Sequence, residues 1–154
     1  MEIREGGLDH PEVVALLREH LAEFAGLSPP ESMHALGLER LRHPDVSFWT
    51  AWESDALVGF GALQRLDDGH AEIKSMRTAR GHLRRGVAAH VLRHLLDEAA
   101  RRGFRRLSLE TGSAPPFAPA HALYERHGFV DCAPFAEYVE DTHSRYMTRA
   151  LPTP

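Results

Sequence analysis

The stretch from Ala71 to Gly103 reads AEIKSMRTARGHLRRGVAAHVLRHLLDEAARRG, and it restricts the chain to folds that place a strand, a basic glycine-containing loop and a helix in direct succession. Its first part alternates. Ile73, Ser75 and Arg77 are expected on one face of a strand, and Glu72, Lys74, Met76 and Thr78 on the other. Its last part carries a helical stripe of Val87, Val91 and Leu95, widened by Ala88, Leu92, Leu96 and Ala99. Gly103, behind Arg101 and Arg102, ends that helix.

The start of the helix breaks a charge rule. A helix N-terminus carries unpaired N–H groups and partial positive charge, so acids belong there. The run Arg80-Gly81-His82-Leu83-Arg84-Arg85-Gly86 holds no acid and crowds arginines around that end. Such crowding costs free energy unless an anion fills the site, and a local rule broken without visible compensation points to function. Gly86 and the small Ala88 and Ala89 would let a phosphate approach the backbone. A solvated basic loop before an ordinary helix is the plainer alternative.

Bulk properties exclude several classes. At 154 residues the chain is expected to form a single domain, 1–154, with a real core. A formal charge of −4 argues against a general nucleic-acid binder, and the basic residues cluster near 77–106. The lone Cys132 excludes an intrachain disulfide and fits a cytoplasmic location. The N-terminus has no apolar signal core, and no apolar run reaches membrane-spanning length, so no membrane partner is expected.

In chain order, Glu2–Glu5 reads as a short strand, and Pro11 opens a helix with a core face of Val13, Leu17, Leu21 and Phe24. A second helical stretch follows Ser28 and ends before Pro44. Val46–Glu53, Leu57–Leu66 and the Glu72 strand form an antiparallel meander with turns at Ser54-Asp55 and Asp67–His70. Trp49 and Trp52 fall on opposite faces, with core as the default for both. Arg105–Thr111 is a strand parallel to the Glu72 strand by a right-handed crossover. Ala118–His127 is a short helix, and Phe129–Ala133 and Tyr146–Leu151 are the last strands. The acidic PFAEYVEDTHS segment between those strands reads as a surface loop or as a wall of a pocket. His90 and His94 share one helix face, but with no third ligand they read as a solvated face, and no metal is expected.

Two motifs resemble signatures of the GNAT N-acetyltransferase superfamily. Gly86-Val87-Ala88 matches the end of its Q/R-x-x-G-x-G/A loop, with Leu83 at the first position. Phe117, Ala120, Leu123-Tyr124 and Gly128-Phe129 follow its N-x-x-A-x-x-L-Y…G-F pattern, with Phe117 in place of Asn. The resemblance implies an α/β fold (a mixed α+β sheet) with about 6–7 strands flanked by about four helices. It also implies that the Glu72 strand and the next are splayed at one end to admit a cofactor arm.

The implied reaction is acetyl transfer from acetyl-CoA to a primary amine by direct attack in a ternary complex. An alkyl ammonium with a pKa of about 10 must first lose a proton. The resemblance assigns that task to Glu72, which stands fourteen residues before Gly86, as in histone-acetyltransferase-like members. A surface acid paired with Lys74 or Arg77 is the alternative, and Glu110 is the rival base. A backbone N–H near Met76 or Arg77 would stabilise the oxyanion, and Tyr124 would protonate the thiolate. Met76, Arg77, Thr78, Arg84, Arg85, Gly86, Val87, Ala88, Phe117 and Tyr124 would bind the cofactor, with Arg80 a further candidate for its phosphates. Glu31, Ser32, His34 and Glu110 are candidate contacts for a small-molecule or peptide amine acceptor. Family members are often homodimers. A non-catalytic CoA-binding module of the same fold is the alternative function.

Overall fold

The computed structural model describes residues 1–27 and 38–152. Its centre is a seven-stranded sheet in the order β1-β2-β3-β4-β5-β7-β6. The meander comprises β2 (Val46–Glu53), β3 (Ala56–Arg65) and β4 (His70–Thr78), and β1 (Glu2–Glu5) pairs antiparallel with β2. The crossover helix α3 (Val87–Arg101) carries the chain from β4 to β5 (Arg106–Gly112), which lies parallel to β4. After α4 (Ala118–Arg126), the short β6 (Val130–Asp131) and β7 (Ser144–Ala150) pair with each other, and β7 pairs with β5. These elements match the sequence reading to within a few residues at their ends.

Helices cover both faces. On one, Val87, Val91, Leu92, Leu95, Leu96 and Ala99 of α3 and Leu123 and Tyr124 of α4 bury against Trp49, Val58, Leu63, Ile73, Leu107 and Leu109. Each large apolar side chain so buried contributes about 2 kcal/mol of transfer free energy. On the other face, α1 (Pro11–Leu27) and the single-turn α2 (Leu38–Leu41) pack Val13, Leu16, Leu17 and Leu41 on Phe48, Trp52, Phe60 and Ala62. Both tryptophans are therefore core, on opposite faces. Leu21 is only half-buried, while Leu16 and His20 take the deeper positions on α1.

Gly59 and Gly61 explain how closely α3 sits. A Cβ at Gly61 would stand 2.8 Å from Val91 Cγ1 and 3.0 Å from Leu95 Cδ1, and one at Gly59 would stand 2.7 Å from the Arg77 carbonyl oxygen. Only glycine allows the helix and the neighbouring strand to come this near.

The strand alternation expected for β4 does not hold along its whole length. Leu63 faces Ile73 while Ala62 faces Ser75, so Lys74 is an extra residue, a β-bulge. Ile73 and Met76 consequently share the α3 face. Arg77 instead reaches α1. A two-residue period cannot reveal a bulge, because the inserted residue obeys no pattern until its partner strand is known.

Candidate active site

The bulge coincides with an opening in the sheet. Pairing of β4 with β5 runs only from His70–Ile73 against Arg106–Leu109. Beyond it β4 continues to Thr78, while β5 stays paired with β7 as far as Gly112. The end of β4 is tied by ion pairs to α1. Arg77 donates to Glu19 at 2.9 Å and also to Glu23, and Arg80 bonds the same two acids at 2.8 and 3.1 Å. The splay that the resemblance implied is thus present, and the freed edge of β4 from Lys74 to Thr78 lines it.

The same ion pairs correct part of the charge reading. Arg77 and Arg80 are neutralised from a distant helix, which proximity in sequence could not show. Arg84 and Arg85 are exposed and have no acidic partner among the described residues. Arg84 and Gly86 take left-handed backbone, φ 64° and 81°, and Gly86 begins α3 without a side-chain cap. A Cβ added at Gly86 would meet open space. Such a turn at a helix N-terminus is a fitting site for a pyrophosphate. Leu83, 58% exposed, projects from the loop.

One face of the opening carries a polar cluster. Glu72 is 2% exposed, and its Oε2 accepts a hydrogen bond from the Tyr138 hydroxyl at 2.5 Å and one from Lys74 Nζ at 3.3 Å. Lys74 also donates to the Tyr138 oxygen at 2.9 Å. Burial raises the Glu72 carboxyl above the ordinary range, against the opposing pull of Lys74 and Tyr138. Glu110 is half-buried on the same face, where Ser144 Oγ donates to it at 2.7 Å. Burial, with the nearby charge of Glu72, pushes its carboxyl up to about 7.

The other face carries Tyr124, 8% exposed and edge-on to Phe129 at 5.8 Å. Burial first, and the charge of Glu110 second, push its phenol up to about 12, so it stays a proton donor. Phe117 seats its ring on the end of β5. A Cβ at Gly112 would stand 2.1 Å from that ring. His121 Nε2 bonds the Gly112 carbonyl at 2.8 Å.

Glu72, Glu110 and Tyr124 lie within electrostatic reach of one another, while Met76 and Thr78 stand on the length of β4 not paired with β5, Phe117 on the end of β5, and the Arg84–Ala88 turn at the start of α3. The side chain of Arg77 points away, to α1. Glu31, Ser32 and His34 lie outside the described residues. His94 is half-buried: it packs at 5.2 Å from Trp49, and its Nε2 is buried with no hydrogen-bond partner among the described residues. The sequence reading missed Tyr138 and Ser144. Their signal was the PFAEYVEDTHS segment, whose Phe135 and Tyr138 pack with Tyr146 at 6.1 and 5.5 Å.

Comparison with known proteins agrees with this geometry. The profile of the GNAT acetyltransferase family matches residues 13–129. A protein named as an uncharacterized N-acetyltransferase, YsnE of Bacillus subtilis (strain 168), is 56% identical over 98% of this chain and 100% of its own. A protein named IAA acetyltransferase from Azospirillum brasilense is 37% identical over 91% of this chain and 92% of its own. Among solved structures, aminoglycoside 6'-acetyltransferase type Ii superposes with a TM-score of 0.75 at 22% identity, over 100% of both chains. An aminoglycoside 6'-N-acetyltransferase complexed with coenzyme A gives 0.72 at 16% identity, over 100% of this chain and 99% of that one. At such identities these structures speak for the fold. With its splayed sheet, its uncapped basic turn and these relatives, the chain belongs to the GNAT acetyltransferase family of acyltransferase enzymes.

Proposed function

We propose that this enzyme transfers an acetyl group from acetyl-CoA to a primary amine by direct attack in a ternary complex. The observation that carries the reading is the opening between β4 and β5, with Glu110 on one face and Tyr124 on the other. Acetyl-CoA supplies the activated thioester. The N–H groups from Arg84 to Ala88, with the Arg84 and Arg85 guanidiniums, hold its phosphates. The β4 edge from Lys74 to Thr78 and the Phe117 ring line the path of its arm.

Glu110 takes the ammonium proton. A carboxyl that titrates near neutrality and is reachable from the opening suits that task. Glu72, to which the family resemblance assigned it, has one of its two oxygens, Oε2, engaged by both Lys74 and Tyr138. Tyr124 delivers a proton to the departing thiolate. A free N–H on the β4 edge, beside the bulge at Lys74, stabilises the oxyanion and supplies ~3 kcal/mol. The acceptor is a small-molecule or peptide amine, and the site of action is the cytoplasm.

The test is thiol release from acetyl-CoA across a panel of small amines, amino acids, aminoglycosides and peptides. Release with an amine of the panel is expected. Tyr124→Phe should lower kcat about tenfold or more with little change in the acetyl-CoA KM. Glu110→Gln should lower kcat/KM for the amine about 100-fold near neutral pH. Binding of CoA without release for any amine would refute the reading, and an unchanged rate in Glu110→Gln would remove Glu110 from it.

A further inference from the structure

We infer that Glu72 is a positioning residue: clamped by Lys74 and Tyr138, it is a fixed charge that keeps Glu110 ready to accept a proton. The inference rests on the reading of Glu110 as the base. Glu72 stands opposite Ser108 across the β4–β5 pair, and Glu110 is the next residue of β5 on that face. Along the strand direction two residues offset them by about 7 Å, and the spacing between the strands adds to that.

The clamp is a closed triangle. The Tyr138 hydroxyl donates to Glu72 at 2.5 Å and accepts from Lys74 at 2.9 Å, and Lys74 donates to Glu72 at 3.3 Å. Lys74 Nζ also lies 5.3 Å from the centre of the Tyr138 ring, where the π-face attracts a cation. The Glu72 and Lys74 side chains are only 3% and 9% exposed. An acceptor amine that bonded Glu72 Oε2 would compete with the Tyr138 hydroxyl and Lys74 Nζ, and displacing either would leave a buried carboxylate with fewer partners. The bulge at Lys74 builds this arrangement. It returns β4 to its alternation one residue late and leaves Lys74 opposite no residue of β3.

Several groups surround Glu110. On β4 these are Glu72 and Lys74; on β7, Ser144 and Tyr146; on the segment before β7, Tyr138 and Asp141; and on α4, Tyr124. Glu72 and Asp141 oppose a negative charge on Glu110, while Lys74 and the Ser144 hydroxyl favour it. A regulated proton acceptor needs such a balance: Lys74 without Glu72 would leave too weak a base, and Glu72 without Lys74 would compete for the proton.

The experiment is a 13C NMR pH titration of the intact protein labelled at glutamate Cδ, with no acyl donor or amine present. The Glu110 resonance is the one that Glu110→Gln removes. Glu72→Gln should lower the Glu110 midpoint by about one pH unit, from loss of the neighbouring negative charge. Adding Lys74→Met to Glu72→Gln should move it back up by a similar amount. Tyr138→Phe, which keeps the ring and both charges, should raise the midpoint of Glu72 itself. An unmoved Glu110 midpoint in Glu72→Gln overturns the inference. So does a further fall in the double variant, which is the mark of a merely loosened structure. If Glu72→Gln loses its fold by circular dichroism, an unmoved Glu72 midpoint in Tyr138→Phe overturns it instead. Because the titration needs no turnover, a failed amine panel and a failed clamp are separate results.

Discussion

Replacing Glu110 with Gln should stabilise the fold at high pH while it damages catalysis. The Glu110 carboxyl is held up to about 7 in the folded chain, mainly by burial, against an ordinary 4.5. Well below 4.5 the group is protonated in both folded and unfolded chains and contributes nothing. As pH rises through 4.5 the unfolded chain releases its proton first, so unfolding gains and stability falls. The loss levels off once pH passes 7 and the folded chain has also ionised. A rise from 4.5 to about 7, at about 1.4 kcal/mol per pH unit, makes this loss about 3 kcal/mol. Glutamine keeps the shape and can still accept the Ser144 hydroxyl bond, but it has no charge to bury. Urea unfolding of both proteins at about pH 4 and about pH 8.5 measures the effect. The variant should gain about 3 kcal/mol on the wild type between those pH values, which is roughly 6–12 °C in Tm for a chain of this size. A difference between the two proteins that does not change with pH would refute the reasoning, because Glu110 would then carry no buried charge.

Other perturbations probe the frame around the site. Gly61→Ala puts a Cβ 2.8 Å from Val91 Cγ1 and should cost about 1–3 kcal/mol in urea unfolding, as α3 is forced off the sheet. Glu23 is held down at about 2, chiefly by its hydrogen bond from Arg77, so its contribution is complete above 4.5 and lost as pH falls toward 2. Its side chain is 39% exposed, so solvent screening limits that contribution to about 1 kcal/mol, and Glu23→Gln should flatten the acid limb of a Tm-against-pH curve accordingly. Arg84→Ala and Arg85→Ala should each weaken coenzyme A binding by calorimetry, about tenfold for whichever guanidinium meets a phosphate. Unchanged affinity in both would move the phosphates off the Arg84–Ala88 turn.

Local chemistry announced much of this. The α3 stripe from Val87 to Ala99, the Gly86 start and the Gly103 stop depend on neighbours three or four residues apart, so the helix was legible in advance. The uncapped, basic start of α3 was legible for the same reason, and so was the parallel crossover to β5. The Lys74 bulge was not. Alternation placed Ile73 with Ser75 and Arg77, but Ile73 and Met76 share the α3 face. Likewise Tyr138 touches Glu72 across 66 residues of chain, and Arg77 touches Glu19 across 58. No local pattern marks contacts of that span.

The sequence by itself determined the element order, the apolar faces and the anion-ready turn, because these follow from hydrophobic period, glycine conformation and charge near a helix end. Tertiary structure alone decided the split of labour among like residues. It paired Arg77 and Arg80 with α1 and left Arg84 and Arg85 without acidic partners among the described residues; it buried Glu72 and left Glu110 half-buried. Charge and proton affinity depend on burial and on partners across the sheet, and those are set only when distant strands meet.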